Sequence, residues 1–160
     1  MYKKYNLLIL LLTSFFSFNV YSSYIEESIQ DHKNTFSEVA LKIWNHAEMG
    51  YQEFKSSNLL ANELEKEGFR ITKNVAGIPT AFIAEYGVSG PVIGVLGEFD
   101  ALPGLAQSTS PFKQIINNET GAGHACGHHL FGAASAWAAV AIKEWLDKNN
   151  VKGIVRFYGT

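Results

Sequence analysis

The stretch that decides the fold is GHACGHHLFGAASAWAAVAIKEWL, which runs from Gly123 to Leu146. From about His129 to Asp147 the residues are rich in alanine, which predicts a long helix whose small side chains pack closely against a sheet. The turn before this helix holds three of the chain's five histidines and its only cysteine, Cys126. This stretch therefore predicts both a helix that covers a sheet and a group of metal-ligand residue types at its start.

Three short segments around this helix predict strands. The segments TAFIAEYG (80–87) and PVIGVLGEF (91–99) are apolar and β-branched, and the glycine, serine and proline residues between them predict a tight turn. The second segment is apolar at both alternating sets of positions up to Gly97, which predicts a central strand covered on both faces. The segment GIVRFYG (153–159) predicts a last strand.

Two helices are predicted before the strands. Apolar residues recur at three- and four-residue steps from about Glu26 to Ala47, and a second amphipathic segment ends at Gly68. Residues 106–123 are rich in turn-forming residues and are predicted to be a loop. The order helix, helix, strand, strand, helix, strand predicts an α/β fold in which helices flank a mixed sheet.

The first 23 residues have the pattern of a secretory signal peptide. Lys3 and Lys4 precede an apolar run from Leu7 to Phe18, and we expect cleavage after Ser22 or Ser23. The run is shorter than the roughly 20 residues of a membrane span, so we expect no stable span after cleavage. The chain is therefore predicted to be exported, to the periplasm or beyond, with an uncleaved signal anchor as the alternative.

Composition limits the classes of function. The chain has 160 residues, of which 47% are hydrophobic and 18% charged, so residues 24–160 are predicted to form a packed domain. The formal net charge is −2 and no basic patch is present, which argues against nucleic-acid binding. One cysteine cannot form an intramolecular disulfide, so in an exported protein Cys126 should be buried, paired with another chain or bound to a metal.

Cys126 and His128 are the first candidates for chemistry. A thiolate and an imidazole both bind zinc and similar metals, and the glycine between them lets the turn bring both side chains toward one point. Two ligands do not complete a metal site, and a structural loop remains an equal alternative. His124 and His129 are further candidates by proximity, although a loop position for His124 and a helix cap or helix start for His129 explain them better.

Glu98 and Asp100 are the second pair of candidates. They follow an apolar strand and lie two residues apart, so on an extended backbone both carboxylates point to the same face. Carboxylates at a strand end can bind a metal, orient a ligand histidine or act as a general base. A solvated strand exit with an aspartate turn before Pro103 is the alternative.

Five segments, in this order, resemble the amidohydrolase branch of the M20 metallopeptidase family and, within it, the p-aminobenzoyl-glutamate hydrolase-like group. The segments are IWNHAEMGYQEFKSS, GIPTAFIAEYG, PVIGVLGEFDALPGLAQ, GHACGHHLFG and GIVRFYGT. The resemblance implies that residues 24–160 are the first, incomplete part of a zinc-peptidase-like catalytic domain. The remainder of that domain and the lid or dimerisation domain would lie beyond them.

The resemblance also implies an activity and site residues. Members of this branch hydrolyse amide bonds in N-acyl amino acids or dipeptide-like substrates with two divalent metal ions, zinc or manganese. At the matching positions, Cys126 and His128 would be metal ligands and Asp100 a catalytic residue that orients the metal centre. A small-molecule substrate is the expected partner, and a homodimer is expected for an intact chain.

The chain departs from this family pattern in two ways. His129 stands where family members usually have Asp or Asn, so a carboxylate role there is lost. In the family, the segment after the match to Thr160 supplies the general-base glutamate and a further glutamate ligand. The expectation is therefore that the 160-residue chain binds metal only through part of a site and is inactive.

Two other classes of function compete with this hydrolase hypothesis. The first is a non-catalytic exported α/β domain, or a pseudogene remnant, with a vestigial metal loop. The second is a thiol nucleophile at Cys126, at a helix N-terminus and beside histidine.

Overall fold

A computed structural model describes the backbone of residues 3–160 and the side chains of residues 24–160. The predicted signal peptide, residues 1–23, lies outside the residues whose side chains are described. These described residues form three α-helices, and each contains or extends a predicted one: α1 (Lys3–His46), α2 (Phe54–Lys66) and α3 (His128–Lys148). Among the described residues, no helix is both long and apolar enough to span a membrane.

Six strands are present in the described residues. Four of them form one sheet: β1 (Arg70–Lys73), β2 (Phe82–Tyr86), β3 (Val92–Gly97) and β6 (Ile154–Gly159). The short strands β4 (Leu102–Pro103) and β5 (Ala122–Gly123) pair separately, beyond the end of β3. Neither β1 nor this short pair was predicted, because each is too short to show a clear alternation.

The strand order is β1-β2-β6-β3. β1 and β6 pair antiparallel with β2, whereas β3 and β6 run parallel and are connected through α3. The sheet is thus mixed and flanked by helices, as predicted. The tight turn between β2 and β3 does not make them neighbours, however, because β6 lies between them.

The prediction that β3 is a central strand is wrong for the described residues. β3 lies at the edge of the sheet, and the side chains of Val92, Ile93 and Leu96 are exposed. Its apolar residues are typical of parallel strands, which are usually covered on both faces. In this structure the helices cover one face only, and Val95 is the β3 residue that packs against the core.

The main core lies between the three helices and one face of the sheet. Phe82 and Ala84 of β2 and Val155 and Phe157 of β6 alternate toward it and are fully buried. α3 contributes small buried residues, and this allows the helix to lie close to β3 and β6 as predicted. This packing carries the N-terminus of α3 to the carboxyl end of β3, where parallel sheets usually place functional groups.

Candidate metal site

The strand exit after β3 presents two carboxylates together. β3 ends at Gly97, and Glu98 and Asp100 follow it on either side of Phe99. Phe99 is fully buried and stacks on Phe82 in the core. Because successive side chains of an extended backbone point to opposite sides, burial of Phe99 directs both carboxylates away from the core.

The N-terminus of α3 brings an imidazole to the same place. His128 is the first residue of this helix, and Gly127 before it has a φ of 81°, in the left-handed region that favours glycine. Gly132, one turn further, allows the helix to approach the strand exit. A Cβ atom at this position would lie 2.8 Å from the carbonyl oxygen of Glu98. Close packing of helix and strand therefore sets the distance between His128 and the carboxylates.

His128 lies between the two carboxylates. Its Nδ1 is 2.5 Å from Asp100 Oδ1, and its Nε2 is 3.0 Å from Glu98 Oε2. The three side chains are between about a quarter and a third exposed, so the cluster is ordered by packing yet open to solutes. The structure thus brings two of the sequence-predicted site residues, Asp100 and His128, together with Glu98 at the strand exit.

The donor set fits a divalent metal ion. One imidazole and two carboxylates can offer nitrogen and oxygen atoms that lie within 4.8 Å of one another. Such atoms suit zinc and manganese. A histidine that binds a metal through one ring nitrogen usually donates its other ring N–H to a carboxylate. Asp100 lies beside Nδ1 of His128, where it can accept such a bond. The remaining nitrogen, Nε2, faces Glu98.

Cys126 is not one of these converging residues. It lies in the turn that precedes α3, and its side chain is exposed. The two predicted ligands in the turn, Cys126 and His128, therefore differ in their surroundings. His128 contacts both carboxylates, whereas the role of Cys126 as a ligand stays a prediction, as does the catalytic role of Asp100.

His124 and His129 lie on the buried side of the turn. His124 Nε2 donates to the carbonyl oxygen of Ile43 at 3.0 Å, and the two imidazole rings lie 5.0 Å apart, both beside Trp44. Burial lowers the pKa of both, and for His129 burial together with the nearby His124 lowers the pKa to about 4. Both are therefore neutral near pH 7. His124 lies in the loop and His129 in the first turn of the helix, as one interpretation of the sequence proposed.

A second cluster of possible ligands joins the three helices. His32 Nε2 is 2.8 Å from Glu144 Oε1, and His32 Nδ1 is 3.7 Å from Glu67 Oε1. Ser28 donates to Glu144, and the Lys143 ammonium is 3.9 Å from Glu67. This lysine already neutralises part of the charge that would attract a metal, so the cluster is better explained as a polar link between helices. Sequence reasoning missed it because its members lie far apart in the chain, in α1, just after α2 and in α3.

Comparison with known proteins adds independent information. No family model matches the sequence. The chain is 43% identical over 136 residues to one of the subunits of the p-aminobenzoyl-glutamate hydrolase of Escherichia coli, an alignment that covers 85% of this chain and 28% of the relative. It is 32% identical over 114 residues to N-acetylcysteine deacetylase of Bacillus subtilis, covering 70% and 28%. The chain thus spans less than a third of the length of these relatives.

The fold also resembles a solved structure. The YXEP protein of Bacillus subtilis, described as a dinuclear metal-binding peptidase from the M20 family, superposes with a TM-score of 0.66 at 28% identity. The superposition covers 81% of this chain and 35% of that protein. Sequence and structure comparisons therefore point to the same group of proteins.

Proposed function

Because this chain belongs to the M20 family of metallopeptidases and amidohydrolases, we propose that it contributes part of the metal site to a hydrolase. The reaction proposed is metal-dependent hydrolysis of amide bonds in N-acyl amino acids or dipeptide-like compounds. The observation that carries this proposal is His128 held between Glu98 and Asp100 at the end of a parallel strand. The aminobenzoyl-glutamate type of substrate is supported by the first relative, which is 43% identical. Export, zinc or manganese as the metal, and dimerisation are further parts of the proposal.

The residues at the strand exit have two different proposed roles, orienting a ligand and binding a metal. Asp100 accepts the Nδ1–H of His128 and holds the ring in one orientation and one tautomer. His128 Nε2 and the Glu98 carboxylate then provide donors for a metal, and the resemblance adds the Cys126 thiolate. When bound, divalent ions supply Lewis acidity that polarises an amide carbonyl and lowers the pKa of a water molecule.

We assign no general base among residues 24–160. Asp100 is engaged with His128, and the Glu98 carboxylate is assigned to the metal, so neither carboxylate is free to take a proton from an attacking water molecule. The proposal for the 160-residue chain is therefore metal binding without appreciable turnover. Hydrolysis would require a carboxylate that these residues do not provide.

The proposal is tested on the protein isolated from its source and on the 160-residue chain after removal of residues 1–23. For a native protein longer than 160 residues, we expect hydrolysis of p-aminobenzoyl-glutamate that a chelator abolishes, whereas the 160-residue chain should bind metal and hydrolyse none of this substrate. A native protein that binds a metal, releases it to a chelator and cleaves none of a panel of N-acyl amino acids would instead favour the non-catalytic alternative.

Asp100→Asn removes the negative charge of the carboxylate but keeps the size and shape of the side chain. We expect zinc or manganese affinity to fall about 10- to 100-fold, the usual effect of losing the partner that orients a ligand histidine. The measurement is competition with a chromophoric chelator. Unchanged affinity in Asp100→Asn, Cys126→Ser and His128→Ala alike would place the metal elsewhere and overturn the assignment.

A further inference from the structure

The loop between α1 and α2, residues 47–53, contains a buried carboxylate that does not belong to the candidate metal site of Glu98, Asp100 and His128. Glu48 is 8% exposed, and it accepts hydrogen bonds from the backbone N–H groups of Lys55 and Ser56, at 3.0 and 2.8 Å, and from the Ser56 hydroxyl. These N–H groups belong to the first turn of α2, where they lack partners within the helix. The N-cap residue, Glu53, makes no side-chain cap bond, so Glu48 caps the helix from outside.

The backbone of Glu48 forms a hydrogen bond with Ala101, the residue after Asp100 of the candidate metal site. The Ala101 N–H donates to the Glu48 carbonyl oxygen at 2.7 Å, and Met49 forms a parallel bridge with Ala101. On the other side of Asp100, the Phe99 N–H donates to the carbonyl oxygen of Thr160 at the end of β6. Asp100 is therefore held between two anchored neighbours, one fixed by the sheet and the other by Glu48.

The loop is held in an unfavourable backbone conformation. Ala47 and Tyr51 have φ values of 43° and 65°, in the left-handed region that side-chain-bearing residues rarely adopt. Residues in this region are energetically unfavourable and persist only where the surroundings enforce them, often at functional sites. Here the buried Glu53 carboxylate accepts the Tyr51 N–H at 2.9 Å, and Glu48 anchors the other end of the loop.

The loop also lies close to the Asp100 carboxylate. A Cβ atom at Gly50 would lie 3.9 Å from Asp100 Oδ2. A helix cap alone would need neither this contact nor the bond to Ala101. We propose that Glu48 is a positioning residue for the metal site, which acts through the Ala101 peptide to fix the orientation of Asp100 and hence of His128. This inference rests on the proposed function only for the identity of the site.

The test compares Glu48→Gln with Glu144→Gln in the 160-residue chain. Each change removes a carboxylate that accepts bonds from side chains or backbone, but Glu144 lies in the helix cluster and makes none of its bonds to the strand exit. Two properties are measured: the affinity for zinc, and the NMR signal of the His128 Nδ1 proton in metal-free protein. Unfolding in urea gives the loss of stability for each variant.

We expect Glu48→Gln to weaken zinc binding about tenfold, since partners that orient metal ligands typically contribute 10- to 100-fold. We also expect the His128 Nδ1 proton signal to broaden or shift upfield, because its hydrogen bond to Asp100 is no longer held in one geometry. Glu144→Gln should lower the free energy of unfolding by a similar amount but leave the zinc affinity and the His128 Nδ1 proton signal unchanged. Glu48→Asp, which keeps the charge, should recover part of the affinity.

Two results would overturn the inference: an unchanged His128 proton signal in folded Glu48→Gln, or equal effects of Glu48→Gln and Glu144→Gln. Failure of the wild-type chain to bind zinc would count against the proposed function instead. In that case the proton signal still decides whether Glu48 positions Asp100 and His128.

Discussion

At the scale of single residues, the environment of each histidine decides what it can do. His128 faces two carboxylates at the surface, whereas His129, its neighbour in the chain, packs beside Trp44 and His124. Adjacent residues of a helix point about 100° apart, so one imidazole reaches the strand exit while the other faces the buried side of the turn. Identical side chains therefore have different partners and different surroundings.

His129 should make stability depend on pH in metal-free protein. Its pKa is about 4 when folded, against 6.5 for an unperturbed histidine. The unfolded state therefore binds a proton first, and the stabilisation from neutral His129 is complete above about pH 6.5 and lost as the pH falls toward 4. We expect the free energy of unfolding in urea to fall less between pH 7 and pH 5 in His129→Asn than in the wild type. Parallel curves for the two proteins would show that His129 is solvated.

At the scale of elements, the site depends on the contact between α3 and the exit of β3. Gly132 allows this contact, since a Cβ atom there would lie 2.8 Å from the Glu98 carbonyl oxygen and 3.2 Å from the Phe99 side chain. Both obstacles are buried or belong to the backbone, so the helix must move to relieve them. A displacement of α3 would carry His128 away from Glu98 and Asp100.

Gly132→Ala is therefore expected to destabilise the protein and weaken metal binding together. Overpacking typically costs about 1–3 kcal/mol, more than the gain of about 1 kcal/mol in helix propensity. The control is Ala134→Gly, an exposed position on the same helix that should lose about 1 kcal/mol of stability and keep its zinc affinity. Thermal unfolding and zinc titration measure the two effects, and equal zinc affinity in both variants would contradict the prediction.

At the scale of the whole molecule, one face of the sheet and its β3 edge are uncovered in the described part of the chain. Leu96 of β3 and its register partner Tyr158 of β6 are 49% and 37% exposed, and Val92 on the same strand is 52% exposed. An apolar edge strand is a template for pairing with another chain. The chain from residue 24 to 160 should therefore self-associate.

Leu96→Lys should reduce this association, because a charge on an edge strand opposes pairing between chains. Thr72→Lys adds the same charge to the exposed β1 strand at the opposite edge and should have a smaller effect. Sedimentation velocity over a range of concentrations measures both variants. Association that persists equally in Leu96→Lys would place the contact on another surface.

The sequence by itself determined the helices, most of the strands and the candidate ligands. Helical spacing, alanine content and β-branched runs are local signals, and they identified α1, α2, α3, β2, β3 and β6. The spacing of Glu98 and Asp100 likewise showed that both carboxylates leave a strand on the same face. These features depend on neighbours a few residues away, so the order of residues is enough to predict them.

Only the tertiary structure decided which of these features meet. β6 pairs between β2 and β3, although the chain reaches it last, and this moves β3 to an edge. His128 meets Asp100 across 28 residues, and the Glu48 carbonyl oxygen meets Ala101, next to Asp100, across 53 residues. Such contacts arise from how helices pack on the sheet, a balance of burial and steric fit over many residues that no local pattern records.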